Sequence, residues 1–353
     1  MKRSILSSTI ILLVFLFLTN PAAAQVSITG VPFLQIEPDP RAAGMGNAGV
    51  AMADNANAVF WNPAGLAYQR ESQISITHSN WLPNFDVDLF YDYLVGKHHV
   101  EGIGTFGGHI TFLNLGEQVR TSEDNVELGT FNSFELAAGV SYGVQLSDNF
   151  SLGTGMRFIR SKLADGAVGG QQVNPGTSVG FDLAGMWKSD TFTVLNRDAQ
   201  MNVGLNISNL GPAIQFTDEA QKDPLPTTMR LGYAYTMELD PEGFNTLTIS
   251  TDISKIMARL EQDINSRGDT TFTAQGPIEG FFNSFSSIER DLGAGDIVNV
   301  SLFDQLMWAN GLEYWYNQRF ALRAGFFYEA EDNGNRKFGT LGAGIKYNVI
   351  GVD

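Results

Sequence analysis

Phe134-Glu135-Leu136-Ala137-Ala138-Gly139-Val140-Ser141-Tyr142-Gly143-Val144-Gln145-Leu146 alternates between two sets of side chains. Its even positions are Phe134, Leu136, Ala138, Val140, Tyr142, Val144 and Leu146. Its odd positions are Glu135, Ala137, Gly139, Ser141, Gly143 and Gln145. A period of two places these sets on opposite faces of one strand. The length meets the roughly 9–11 residues that a tilted strand needs to cross a bilayer.

Similar segments recur along the chain. Ser72 to His78 alternates through Ile74 and Ile76. Asp86 to Val95 sets Val87, Leu89, Tyr91, Tyr93 and Val95 against Asp86, Asp88 and Asp92. Further strands are expected at 102–115, 150–162, 178–188, 200–209, 228–238, 246–254, 311–316, 321–328 and 339–347. Ser147-Asp148-Asn149 and Tyr316-Asn317-Gln318-Arg319 read as tight turns. Segments 120–130, 165–175, 211–226 and 257–303 read as long loops. Short turns at one end and long loops at the other are the pattern of an outer-membrane β-barrel.

Both ends of the chain carry their own signals. Lys2 and Arg3, the apolar run Ile5 to Leu18, and Ala22-Ala23-Ala24 before Gln25 read as a signal peptide over residues 1–24. Residues 25–70 are expected to be a lead and a compact plug, or hatch. Pro32, Pro38 and Pro40 disfavour helix and central strand there, and the Ala/Gly/Asn-rich stretch from Arg41 to Ala67 lacks alternation. Residues 71–353 are expected to form the barrel. Val349, Ile350 and Val352 begin another strand before Asp353. A barrel leaves no edge in lipid, so one or two more strands are expected beyond this end.

Composition narrows the function classes. The absence of Cys excludes disulfides and Cys-based zinc sites. A net charge of −16 argues against a nucleic-acid partner, which calls for a basic patch. The near-neutral mean hydropathy of −0.06 suits a barrel, whose lipid-facing residues occupy alternate positions. Gly44 to Gly49 and Gly102 to Gly107 fit a nucleotide-binding glycine pattern but lack the strand–helix context it requires. His78, His98, His99 and His109 lack metal-ligand spacing. The sequence contains no catalytic motif and implies no cofactor.

Two sets of residues stand out. Glu135, Arg157, Asp182, Arg230, Asp252, Glu313, Arg323 and Lys346 fall on the non-lipid register of their strands and read as a lumen ion network of mixed sign. In the long loop 257–303, Phe281, Phe282, Phe285 and Ile288 share one helix-like face. They are candidate partner-binding residues on a small amphipathic helix, since exposed aromatic patches mark interfaces.

The segments Arg41-Ala42-Ala43-Gly44-Met45-Gly46-Asn47-Ala48-Gly49-Val50-Ala51 and Phe60-Trp61-Asn62-Pro63-Ala64-Gly65-Leu66-Ala67 resemble the plug of the PorV/PorQ family, within the wider FadL-like barrels. Gly280 to Phe285, Gly311 to Tyr316 and Gly344 to Val349 extend the resemblance. It implies an all-β, FadL-like transmembrane antiparallel barrel of about 14 strands, with a hatch built on Arg41, Gly44, Gly46, Gly49, Asn62, Pro63 and Gly65. It also implies an outer-membrane component of type IX secretion in Bacteroidetes-like bacteria. Its implied partners are outer-membrane lipid, the translocon barrel, the sortase complex and cargo with a C-terminal sorting domain. The alternative within the same resemblance is a transporter of long-chain fatty acids or other hydrophobic compounds.

Overall fold

The computed structural model describes residues 29–353 except 82–87, 123, 125, 169–170, 218–221, 265–269 and 292–296. The expected signal peptide lies outside the described residues. Each strand expected from alternation corresponds to one long strand: β1 (Gln73–Asn80), β2 (Phe90–Val100), β3 (Gly104–Thr121), β4 (Glu127–Gln145), β5 (Phe150–Lys162), β6 (Gly176–Lys188), β7 (Arg197–Leu210), β8 (Thr228–Glu238), β9 (Thr246–Ile256), β10 (Met307–Tyr316), β11 (Phe320–Glu329) and β12 (Lys337–Tyr347). A short β13 (Ile350–Val352) follows, and Phe192–Val194 pairs with β7. Together they form one 14-stranded sheet in which sequence neighbours pair antiparallel from β1 to β13.

The sheet curls into a barrel wall around the hatch. Hatch residues bond β6, β9, β10 and β12 on the same inner face. In β4 the inward positions Glu135, Ala137 and Ser141 are buried, while Val140 is 62% exposed on the outside. Met156, Phe158, Leu183, Leu231, Ile249, Leu322 and Leu341 carry the same outward apolar belt around the wall. This is the surface a bilayer covers. In β2 the apolar set faces inward instead, with Tyr91, Tyr93 and Val95 fully covered. The hatch places Phe33 and Phe60 in that sector, so the inner wall there is apolar.

The hatch is built from tight turns. Asp39 caps α1 (Pro40–Ala43) by accepting from the Arg41 backbone N–H at 3.1 Å. α2 (Ala58–Trp61) leads to Asn62, whose side chain accepts from Ala64 N–H and starts the 3₁₀ turn Pro63–Tyr68. Met45, Val50, Ala56, Val59 and Leu66 are all fully buried. Small residues predominate because the hatch backbone runs close against the inner wall. A Cβ on Gly325 would stand 2.0 Å from Gly46 N, and one on Gly153 would stand 2.2 Å from Ala64 N. Gly143, Gly204 and Gly311 open the wall to the hatch in the same way.

The loops differ from expectation in three places, the first being segment 165–175, where Gly166–Val168 pairs with Gln171–Val173 as short strands. Segment 120–130 is not an open loop: β3 and β4 stay paired out to Thr121 and Glu127, which satisfies their backbone groups as a two-stranded ribbon. The described residues of segment 257–303 place α3 (Pro277–Asn283) between the strand pairs Leu260–Ile264/Thr270–Ala274 and Ile288–Asp291/Ile297–Val300. The helix stops at Asn283. Phe285 lies in the turn that follows, where it still meets Phe281, and Ile288 lies further on, paired with Val300.

Candidate functional site

Two features stand out: a sealed lumen and an aromatic surface at the long-loop end. The lumen is sealed first by charge. The Arg41 guanidinium donates to Glu313 at 2.7 and 2.9 Å and to Asp54 at 2.5 Å. Arg323 donates to Glu313 Oε2, the oxygen that Arg41 Nε also bonds, at 2.7 Å and pairs with Asp353 at 2.6 Å. Hatch and wall are thus joined by one ionic chain: Asp54, Arg41, Glu313, Arg323, Asp353. Burial opposes the charge on Arg41, but Asp54 and Glu313 outweigh it and hold its pKa above the ordinary value.

A second joint uses backbone donors. Asp252 on β9 accepts from Gly49 N–H at 2.7 Å and Val50 N–H at 2.8 Å. Asn62 donates to Val50 O at 3.1 Å and to Gly185 O on β6 at 3.2 Å. Asn206 donates to Trp61 O at 2.9 Å, and Gly46 N–H donates to Thr340 at 2.9 Å. Gly46 has φ +65, and a Cβ there would meet Phe326 N at 2.5 Å, so this turn needs glycine. Gly44 lies against Gly342, Gly49 against the Trp61 ring, and Gly65 against Ala53.

The charged positions expected to form a lumen network separate into local posts. Seven of them are buried. Arg157 pairs with Asp182, and a bulge in β7 turns the Asn209 backbone N–H onto the same carboxylate at 2.9 Å. Glu135 accepts from the Ser161 hydroxyl at 2.8 Å. Arg230 donates to Ser208 at 3.0 Å and lies over the Phe60 and Trp61 rings at 5.6 and 5.8 Å. Lys346 departs from the expectation. It has the inward register but is exposed at the end of β12, between Arg319 and Gly351. The residues missed from sequence are Asp54 and Asp39. Asp39 showed a cap signal before Pro40, whereas Asp54 showed none.

The lead seals the lumen with apolar packing. The turn Pro32–Gln35 inserts Phe33 and Leu34, 1% and 4% exposed, between hatch and wall. The space left beside Phe60, Tyr91, Tyr93 and His109 is about 10 Å³, roughly the room of one water. Val31 adopts φ 46 to make this entry, a conformation that a β-branched residue holds only under firm packing.

At the long-loop end, α3 presents Phe282, 66% exposed, and Phe285 follows it in the next turn. Phe281 meets both edge-on, with centroids at 5.5 and 5.8 Å. Ile278, on the same helix, is exposed too, and the sequence reading missed it. The surface is held rather than loose. Arg259 donates to Ser286 O at 2.6 Å, Gln305 donates to the same carbonyl at 3.1 Å, and Ser284 donates to Gly280 O at 2.7 Å.

A family model described as type IX secretion system protein PorV matches residues 20–263. No curated protein matches the chain. Similar solved structures include the Pseudomonas putida toluene transporter TodX, at 11% identity and TM-score 0.45, covering 88% of this chain and 89% of that one. The Ralstonia pickettii toluene transporter TbuX has 14% identity and TM-score 0.44, covering 88% and 90%. A Pseudomonas aeruginosa FadL homologue has 13% identity and TM-score 0.40, covering 88% and 86%.

Proposed function

The chain belongs to the PorV family of type IX secretion system proteins, and we propose that it acts there by binding: it docks on the translocon barrel, receives cargo with a C-terminal sorting domain and delivers it to the sortase complex at the surface of a Bacteroidetes-like cell. Family membership makes it an outer-membrane component of that system. Binding and delivery need no chemistry from the chain itself, and catalysis forms no part of the reading.

The observation that carries the proposal is the contrast between the lumen and the long-loop surface. A transporter of hydrophobic compounds needs an apolar passage, but Phe33, Leu34 and the hatch fill that space. Phe281, Phe282 and Phe285 form an aromatic surface held in place at the opposite extreme of exposure. Apolar patches of this kind mark interaction sites. Ile288, on the adjoining strand pair, completes the candidate set.

The test replaces Phe281, Phe282 and Phe285 together with Ser. The folded barrel should still reach the outer membrane, with recovery of translocon and cargo abolished. Unchanged recovery refutes the assignment to these residues.

A further inference from the structure

We propose that the outer wall between β1 and β5 holds one anionic phospholipid, with an acyl chain in a glycine-floored recess and its phosphate against Arg160 and Lys162. The recess measures about 600 Å³, within the ~300–1,000 Å³ range of ligand-sized sites. Its floor is Gly96, paired with Gly108 across β2 and β3. Leu94, Ile110, Val140 and Phe158 stand around it, all exposed on the outward face, with Ile74 at the β1 rim.

These two glycines differ from those under the hatch. A Cβ on Gly108 would meet nothing nearer than Gly139 O at 3.5 Å, and one on Gly96 nothing nearer than Gln73 O at 3.6 Å. Neither has positive φ. Packing and backbone conformation therefore leave both positions free to carry a side chain, and its absence opens the recess toward lipid.

The charge lies where a headgroup would. Phe158, Arg160 and Lys162 alternate on the outward face of β5, so Arg160 stands roughly 7 Å above the recess wall and Lys162 another step toward the long loops. Arg160 is exposed, and Lys162 reaches Asp165 at 3.4 Å. The acid in the same cross-strand row, Asp92, is three strands away and is engaged by His78 at 2.6 Å. In a chain of net charge −16, two cations at a bilayer boundary above an apolar recess match an anionic amphiphile.

The experiment is native mass spectrometry of the full chain, titrated with palmitoyl-oleoyl phosphatidylglycerol or the matching phosphatidylcholine. One phosphatidylglycerol should be retained in preference to phosphatidylcholine. R160Q/K162Q should weaken phosphatidylglycerol by roughly fivefold per charge removed, without affecting phosphatidylcholine. G96L/G108L should remove the retained lipid altogether. The charge variant alters exposed or half-buried outward side chains only, so it decides the matter even if the glycine variant fails to fold. Equal retention of the two lipids by the unaltered chain, or unchanged retention in R160Q/K162Q, overturns the proposal. So does a dimer that G96L/G108L disperses, which would assign the recess to a second copy.

Discussion

Replacing Glu313 with Gln tests the lock between hatch and wall. Glu313 is 1% exposed and lies between two guanidiniums, with Arg323 equally buried and Arg41 at 13%. Removing the carboxylate leaves two cations facing one another. Breaking a buried pair in this way costs about 3–5 kcal/mol. Arg41 keeps Asp54 and Arg323 keeps Asp353, so the lower end of that range, about 3 kcal/mol, is expected. Arg41→Met should cost less, because Glu313 then retains Arg323.

The assay exploits the absence of native Cys. Ala48→Cys places a single thiol at a hatch position 1% exposed. Its labelling by a maleimide reports hatch opening. If opening breaks the Glu313 joint, Glu313→Gln should accelerate labelling by roughly 100-fold. Arg41→Met should accelerate it by much less. Equal effects of the two variants, or an effect of Glu313→Gln below about twofold, would refute the claim that this ionic chain holds the hatch.

Other outcomes follow from the same packing. Gly325→Ala should destabilise the seated hatch by about 1–3 kcal/mol, since its Cβ would stand 2.0 Å from Gly46 N. The outward Gly96→Ala should stay within about 0.5 kcal/mol by urea unfolding. Phe33→Ala should cost about 3–5 kcal/mol and enlarge the lumen space enough for xenon to enter in a pressurised crystal. Burial pushes the Asp39 carboxyl up to about 6, against the opposing pull of Arg41. A raised acid favours the folded state most below its unfolded value of 3.8. That contribution is lost as pH rises through about 6, so in the Ala48→Cys chain hatch labelling, divided by the rate for a free thiol at the same pH because maleimide attacks the thiolate, should speed up between about pH 4 and 6 and stay flat once Asp39→Asn is added.

The strands were legible because lipid imposes a strict alternation on residues such as Val140 and Met156, wherever the hatch lies. The plug was legible from its Ala and Gly content, since only small residues fit against the inner wall. The joints between them were not. Arg41 meets Glu313 across 272 positions of sequence, a proximity set by the curl of the sheet. Gly311, Gly325 and Gly342 look like weak points in their strands until Met45, Gly46 and Gly44 are placed against them. The helix was readable from Phe281, Phe282 and Phe285, but Ile288 shares their spacing by coincidence and spends its backbone on Val300. Lys346 followed the inward alternation, and nothing local in the sequence showed that its position would be exposed.

A barrel that binds protein partners and passes no hydrophobic compound should leave the membrane with those partners attached. The most direct measurement is recovery of the tagged protein from outer membranes in mild detergent, with co-purifying proteins identified by mass spectrometry and small molecules by solvent extraction. A very large barrel, or cargo with C-terminal sorting domains, should co-purify, with no stoichiometric fatty acid or other hydrophobic transport substrate. Recovery of this barrel alone, carrying one equivalent of such a compound, would contradict the binding role.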